Sequence, residues 1–361
     1  MPAKNIPKDR GRGATVNRTP LRFNLSERTQ DGDWLDEREA IDGPPQRLRT
    51  TVTVEHPRTI ITRNTSPDIG FDRSINAYRG CEHGCIYCFA RPSHAYHDLS
   101  PGLDFESRLF AKPDAARLLV VELSRCGYAV APIAMGTNTD PYQPIEKDWR
   151  ITRDCIQILH DCRHPLIITT KSNRVLRDID LLADMAKDDL VVVALSVTSL
   201  DPAIARTLEP RAPHPHKRLE AIGELTRAGV PTHVSVAPVI PAITDHEMEA
   251  ILEAAAKAGA RSASFIPVRL PHEVAPLFRD WLDACFPDRK DKVMAIIQDL
   301  RGGRDNDPRY RMRMRGQGVW ADLMRTRFAK TCARLGLNQS GRQKLRTDLF
   351  RPPEGDQPRL L

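Results

Sequence analysis

The stretch from Arg79 to Pro92, RGCEHGCIYCFARP, holds the densest chemistry in the chain. Cys81, Cys85 and Cys88 are spaced C-x3-C-x2-C, three thiols within eight residues. Thiols this close can converge on one metal centre, and the thiolate is the form that ligates. Three ligands leave a fourth coordination position. A structural zinc site fills it, and His83, His94 and His97 are the nearby candidates. An iron–sulfur cluster normally takes four cysteines, so a cluster on three leaves one iron open to a substrate or cofactor. A catalytic centre needs such an opening. The other five cysteines are scattered. Cys155, Cys162, Cys285 and Cys332 fall on apolar helix faces and Cys126 at a helix end, where a thiol serves as a small packing group.

The elements that must position this loop belong to an ordinary folded protein. The chain has 361 residues, 40% hydrophobic and 28% charged, with 54 Lys plus Arg against 47 Asp plus Glu, a net charge of +7. That balance excludes a disordered or membrane-embedded chain. The longest apolar run, LVVVAL over 190–195, is too short to span a bilayer. The first residues, MPAKNIPKDRGRG, lack the apolar core of a secretory signal, so the expected compartment is the cytoplasm. Thiols stay reduced there, which turns the cysteines towards metal chemistry or burial. The charge is uneven: residues 1–28 carry +5 and residues 301–351 carry +10, leaving about −7 on 29–300. A mildly acidic body with two basic ends is an electrostatic footprint that suits nucleic acid, or simply aids solubility.

Residues 1–50 show little apolar periodicity and read as a basic, loosely draped arm. Residues 51–72 look extended. From about residue 73 short apolar runs recur at 74–78, 130–137, 165–171, 190–198, 231–239 and 262–268, with helical patterns between most of them. Examples are 113–127, 149–162, 216–229 and 244–259, the last opening with Thr244 and Glu247 at capping-box spacing. The runs are nearly all apolar, as strands buried on both faces should be. Six strand–helix units predict an α/β domain over 51–286 with a parallel sheet and right-handed crossovers. A doubly wound sheet and an incomplete barrel both fit the pattern, and in both the ligands gather beyond the carboxyl ends of the strands. Residues 287–361 form a small, basic α+β extension. Within it, PRYRMRMRG (308–316) alternates strictly and reads as a strand with Arg309, Arg311, Arg313 and Arg315 on one face, a ladder that calls for an anionic partner. An amphipathic helix follows over 319–336, with Trp320, Leu323, Met324, Phe328, Cys332 and Leu335 on its apolar stripe.

A C-x3-C-x-(aromatic)-C loop after the first strand resembles the signature of the radical S-adenosylmethionine (SAM) superfamily, and six βα units are similar to its partial (β/α)6 TIM-type barrel. The resemblance covers about residues 70–270. It implies that Cys81, Cys85 and Cys88 bind three irons of a [4Fe–4S] cluster. It further implies that SAM chelates the fourth iron and that one electron cleaves SAM to methionine and a 5′-deoxyadenosyl radical. Tyr87 stands at the aromatic position near the SAM adenine. Gly136, Thr137, Asn138 and Thr139 stand where the superfamily's Gly-Gly-Glu motif meets the SAM amino group, with Thr and Asn replacing Gly and Glu and with Asp140 and Glu146 nearby. Ser196, ending the fourth strand, matches a ribose or carboxylate contact. Arg211 offers a planar fork to the SAM carboxylate, and Lys171 and Ser172 face the mouth from the end of the third strand.

GTNTDPYQPIEK (136–147) and the basic ends look most like the group around spore photoproduct lyase, the DNA-repair-photolyase-like proteins, in a bacterial branch distinct from the lyase itself. The lyase returns a hydrogen atom to its lesion from a dedicated cysteine, and no equivalent stands out here. The expected activity is therefore radical SAM chemistry on a substrate left open. Nucleic acid is gripped by the arginines in one reading. In a second, the substrate is a small molecule or protein and the basic ends dock an acidic electron donor such as flavodoxin or ferredoxin. A third reading is a metal- or cluster-bearing binding protein without catalysis.

Overall fold

Runs rich in Val, Ile and Leu form strands because branched side chains pack well on a pleated surface covered from both sides. The computed structural model describes residues 12–15, 17–18, 48–339, 341 and 344–353. Strands β1 (Thr51–Val54) and β2 (Ile61–Arg63) precede β3 (Arg73–Ile75), the first strand of the repeat. Then come β4 (Tyr78–Arg79), β5 (Arg108–Ala111) and β6 (Ile133–Met135). β7 (Leu166–Thr170), β8 (Val191–Ser196), β9 (Thr232–Val239) and β10 (Ser262–Pro267) complete the set.

The main sheet runs β10-β9-β8-β7-β6-β3-β2. Its first six members are parallel, and β2 pairs antiparallel with β3. The order of the parallel strands never reverses. A doubly wound sheet needs a reversal, so the pattern's two options resolve to a singly wound, open barrel with all six carboxyl ends at one mouth. Helices at Ala115–Leu123, Ile151–Asp161, Ile179–Lys187, Pro215–Arg227 and Met248–Ala258 alternate with the strands. The principal core, with Ile133, Ile168, Val193, Ile222 and Ile251, lies between the two layers. Residues 51–54 belong instead to a second sheet, β1-β5-β4, packed beside the cysteine loop.

A second core joins Ile86 and Tyr87 of the cysteine loop to Val268 and to Leu277, Phe278, Trp281 and Ile297 of the helices Val274–Cys285 and Lys290–Leu300. The arginine ladder expected over 308–316 does not form. Residues 312–315 form a single helical turn, and Arg311 has a φ of 65°. No neighbouring strand offers this segment a ladder among the described residues, and ion pairs take two of its four charges instead. Arg309 bonds Asp307 at 2.7 Å and Arg313 bonds Asp68 at 2.5 Å. The described part of the extension is therefore helical rather than α+β. Helix Gly318–Leu335 forms as expected with Met324 and Cys332 buried, although Leu323 is 51% exposed.

Two further expectations change. The capping box at Thr244 does not form: its hydroxyl accepts from Ile240 N, and the Glu247 carboxylate holds Ser199 and Leu200 N after β8. Most of the basic arm, including residues 19–47, lies outside the described residues. The described piece is docked rather than loosely draped, with Gly13 N and Ala14 N donating to the Glu106 carboxylate at 2.8 Å each. No described helix is long and apolar enough to cross a membrane.

Two buried imidazoles set an acid limit. His164, just before β7, bonds Tyr128 Oη at 2.9 Å, and burial pushes its pKa down to about 4. Burial likewise pushes His94 down to about 4. Each group binds its proton more readily when unfolded, so its contribution is complete above pH 6.5 and is lost as pH falls through 4. The full loss is about 3 kcal/mol for each. Urea unfolding at pH 7.5 and pH 5 should show a drop that is smaller by about 2 kcal/mol in His164→Gln than in the parent. Equal pH dependence in both proteins would contradict this.

Candidate active site

The cysteine loop begins just past β4, where Gly80 has a φ of 74° and no room for a Cβ, which would meet Phe105 O at 2.7 Å. One buried side chain then shapes the loop. Arg91 donates from Nε to Cys85 O at 2.9 Å and from Nη2 to Gly84 O at 3.2 Å. Its Nη1 reaches Pro101 O and Gly102 O, both at 2.9 Å. Its remaining partner is the Glu106 carboxylate, and both members of this ion pair are fully buried. Glu106 also receives the Gly13 and Ala14 amides, so one carboxylate ties the arm to the loop.

This clamp brings the three cysteines to the carboxyl-end face of the barrel. Cys81 and Cys85 are buried, Cys88 is half-buried, and none of them forms a disulfide. Burial holds the Cys81 thiol well above its usual pKa, and the Asp140 carboxylate and the other two thiols add to the shift. Burial pushes Cys85 up to about 12, with the Lys171 charge opposing. Both shifts favour the protonated thiol, so loading a metal onto Cys81 and Cys85 releases protons. Among the described residues, no three His, Cys, Asp or Glu side chains are gathered closely enough to hold a metal ion. The donor set, three unpaired thiols in one loop, still fits a thiolate-ligated cluster. The histidine candidates have other contacts, although the buried Nδ1 atoms of His83 and His94 have no hydrogen-bond partner among the described residues. His94 Nε2 bonds Arg108 O at 2.9 Å, His97 stacks on Phe110 at 4.8 Å, and His83 lies 3.4 Å from Asp140.

The strand ends opposite the loop are wired to it. Gly136 has a φ of 89°, and a Cβ there would overlap Thr169 O at 1.9 Å, so only glycine lets β6 and β7 end so close together. Asn76 of the first strand's end accepts from Asn138 N at 2.9 Å and exchanges a hydrogen bond with Thr137. Thr139 donates to Gly80 O at 2.6 Å. Asp140 accepts from Thr170 Oγ1 at 2.7 Å and Lys171 N at 2.8 Å. Burial alone would raise its pKa, but His83 and these bonds hold it at about 2. Ser196 is buried, and its carbonyl accepts from Arg218 at 3.0 Å. Thr139 thus bonds the start of the cysteine loop, and Thr137 and Asn138 bond Asn76 at the end of the first strand. Two residues are diverted. Arg211 is paired with buried Glu82 at 2.9 Å, and Glu146 faces Tyr78 and Arg177 inside the protein.

Tyr87 is buried, and its hydroxyl donates to Glu209, which is itself paired with buried Arg218 and bonded by Thr198 Oγ1 at 2.7 Å. Lys171 Nζ stands 5.7 Å from the centre of the Tyr87 ring. Burial pulls the Lys171 pKa down, but Cys85 and Glu209 outweigh it and the net direction is up. Lys171 has no carboxylate ion pair among the described residues. It is a cation of the mouth close enough to Cys85 for each to shift the other. Lys171 stands out in the sequence, whereas Glu209, Arg218 and Glu106 do not: Glu209 meets Tyr87 and Glu106 meets Gly13 only through the fold.

Breaking a buried pair leaves a bare charge, at a cost of about 3–5 kcal/mol. Arg91→Met and Glu106→Gln should each lose stability on that scale in urea unfolding. The double variant should recover part of the loss. Additive losses would argue against the clamp.

Comparison with known proteins agrees with this geometry. The model of the Radical SAM superfamily matches residues 75–255. An uncharacterised protein of Mycobacterium tuberculosis is 36% identical over 247 residues, 68% of this chain and 72% of that protein. An uncharacterised protein of Methanocaldococcus jannaschii is 30% identical over 173 residues, 48% of this chain and 62% of that protein. Among solved structures, spore photoproduct lyase complexed with dinucleoside spore photoproduct shares 15% identity at a TM-score of 0.55, covering 79% of this chain and 80% of the lyase chain. At such low identity the likeness is one of fold. The chain belongs to the radical SAM superfamily, enzymes whose chemistry rests on S-adenosylmethionine and an iron–sulfur cluster.

Proposed function

We propose that the protein reductively cleaves S-adenosylmethionine at a [4Fe–4S] cluster held by Cys81, Cys85 and Cys88. One observation carries this reading: three unpaired thiols in a single clamped loop, at the carboxyl end of the first parallel strand, next to a cation with no carboxylate partner. When bound, the cluster supplies the electron that splits SAM into methionine and a 5′-deoxyadenosyl radical, which takes a hydrogen atom from the substrate. The chain's own residues bind and orient. Lys171 answers the SAM carboxylate through its ammonium donors. Acceptors of the Gly136–Thr139 segment answer the SAM ammonium, with Ser196 on the neighbouring strand end. The buried Tyr87 ring, fixed through its hydroxyl, walls the adenine side and helps exclude water. The electron comes from a flavodoxin- or ferredoxin-like donor.

The substrate reading best supported is nucleic acid. The fold is shared with a lyase solved with a dinucleoside lesion, and the chain's ends are basic. A small-molecule or protein substrate is favoured by one specific observation, the engagement of Arg309 and Arg313 with Asp307 and Asp68.

The test is anaerobic reconstitution with iron and sulfide, reduction, and addition of SAM. 5′-Deoxyadenosine should form, and Cys81→Ala, Cys85→Ala and Cys88→Ala should each lose both the visible cluster absorbance and the product. Retention of the cluster in all three variants would overturn the ligand assignment. Lys171→Met should keep the cluster and raise the KM for SAM about tenfold or more; an unchanged KM would remove Lys171 from the site.

A further inference from the structure

We infer that Arg269 and Phe89 form a nucleotide-recognition site at the barrel mouth, Arg269 taking a phosphodiester group and Phe89 stacking a base. The inference deepens the nucleic-acid reading above and rests on it.

Both residues sit at the chemistry. Phe89 directly follows Cys88, and Arg269 lies two residues beyond the end of β10. The Arg269 guanidinium carbon is 5.7 Å from the centre of the Phe89 ring, yet the phenylalanine is 53% exposed. A large aromatic left half-open beside an arginine is the kind of platform on which single-stranded bases stack.

Arg269 is also under-compensated. Among the described residues it makes no ion pair. Its one hydrogen bond there is from Nη1 to Met314 Sδ at 3.3 Å, and its buried Nε has no acceptor. A thioether is a weak acceptor that a better one can replace. Arg301, 1% exposed, stands nearby. It donates only to backbone carbonyls, at 2.7 Å to Val268 and 3.0 Å to Met312 and Arg313, and its Nε is likewise without an acceptor. Arg269 and Arg301 repel one another, as do Arg269 and Arg313. The nearby carboxylates are already taken, Asp68 by Arg313 and Asp307 by Arg309. Buried or half-buried cations whose nearest carboxylates, Asp68 and Asp307, are committed to other arginines are expensive to keep. Such groups are explained when an anion completes them, and a planar fork of donors suits a phosphate. A carboxylate would use the fork and leave the exposed ring idle, whereas a nucleotide uses both.

The experiment measures binding of a fluorescent single-stranded thymidine oligonucleotide by anisotropy across a salt series, with inorganic phosphate and poly-glutamate as competitors. Arg269→Met should weaken binding about tenfold or more and flatten the slope of log K against log salt by about 0.7, one single-strand phosphate. Phe89→Leu should weaken it severalfold with the slope unchanged. Arg346→Gln, beside the start of β8 and paired with Asp348, should change neither. Phosphate should compete against the parent and lose that effect in Arg269→Met. The Met variant should melt at or above the parent temperature, which separates lost recognition from lost folding. Unchanged affinity and slope in Arg269→Met would overturn the inference. So would poly-glutamate displacing the oligonucleotide better than phosphate does, which would point to a protein substrate. If 5′-deoxyadenosine still forms but the oligonucleotide does not bind, the recognition site fails while the cleavage reading stands.

Discussion

The site depends on a buried guanidinium. Arg91 has no exposure, and a charge placed there must find acceptors for all its donors or cost several kcal/mol. It finds them in four loop carbonyls and the Glu106 carboxylate. Those partners come from the cysteine loop and from residues 101–106, so satisfying the charge also fixes the loop. A loop proposed to load a cluster on three thiols has a particular need for this, because the thiols repel one another as they ionise. A scaffold stiff before loading lowers the ordering cost of binding. Glu106 extends the same logic to the arm through the Gly13 and Ala14 amides, which makes the docked part of the arm a structural member of the site.

A second buried pair does similar work on the far wall. Glu209 and Arg218 are each 1–2% exposed, and the Glu209 carboxylate accepts from the Tyr87 hydroxyl while paired with Arg218. Burial would raise the Glu209 pKa, but Arg218 and Lys171 bring it down to about 2, so the carboxylate stays charged. It stabilises Lys171 as a cation without bonding to it. The ammonium therefore stays charged and available for a ligand carboxylate. The open-barrel topology makes this economical, because Cys85, Lys171, Ser196 and Glu209 reach one mouth from the ends of β3, β7 and β8.

Much of this was legible in the sequence for a physical reason. The six strands announce themselves because strands covered on both faces must be continuously apolar, and the cysteine spacing is local. Features that depend on non-local partners were illegible. The alternation in PRYRMRMRG has the period of a strand, but a strand needs a neighbour with free backbone groups. What this segment meets is the carboxylate of Asp68, about 240 positions away in the chain, and the guanidinium of Arg301. Thr244 and Glu247 have the spacing of a capping box, yet Glu247 finds better donors after β8. Nothing in the local sequence of Arg91 and Glu106 signals their complete burial.

Charge illustrates the difference between counting and pairing. The carboxyl-terminal segment holds the largest basic excess, yet Arg309, Arg313, Arg327 and Arg334 there each have a carboxylate within hydrogen-bond distance. A paired arginine contributes little to the field felt by a phosphate, because its partner cancels most of it beyond a few ångströms. Arg269 sits in the segment whose net charge is negative, and among the described residues it has no such partner. What attracts an anion to a catalytic mouth is the residual charge at that spot, in a low-dielectric wall that focuses it. The basic ends can raise the encounter rate from a distance, while selection among anions falls to the few cations the fold has left uncompensated.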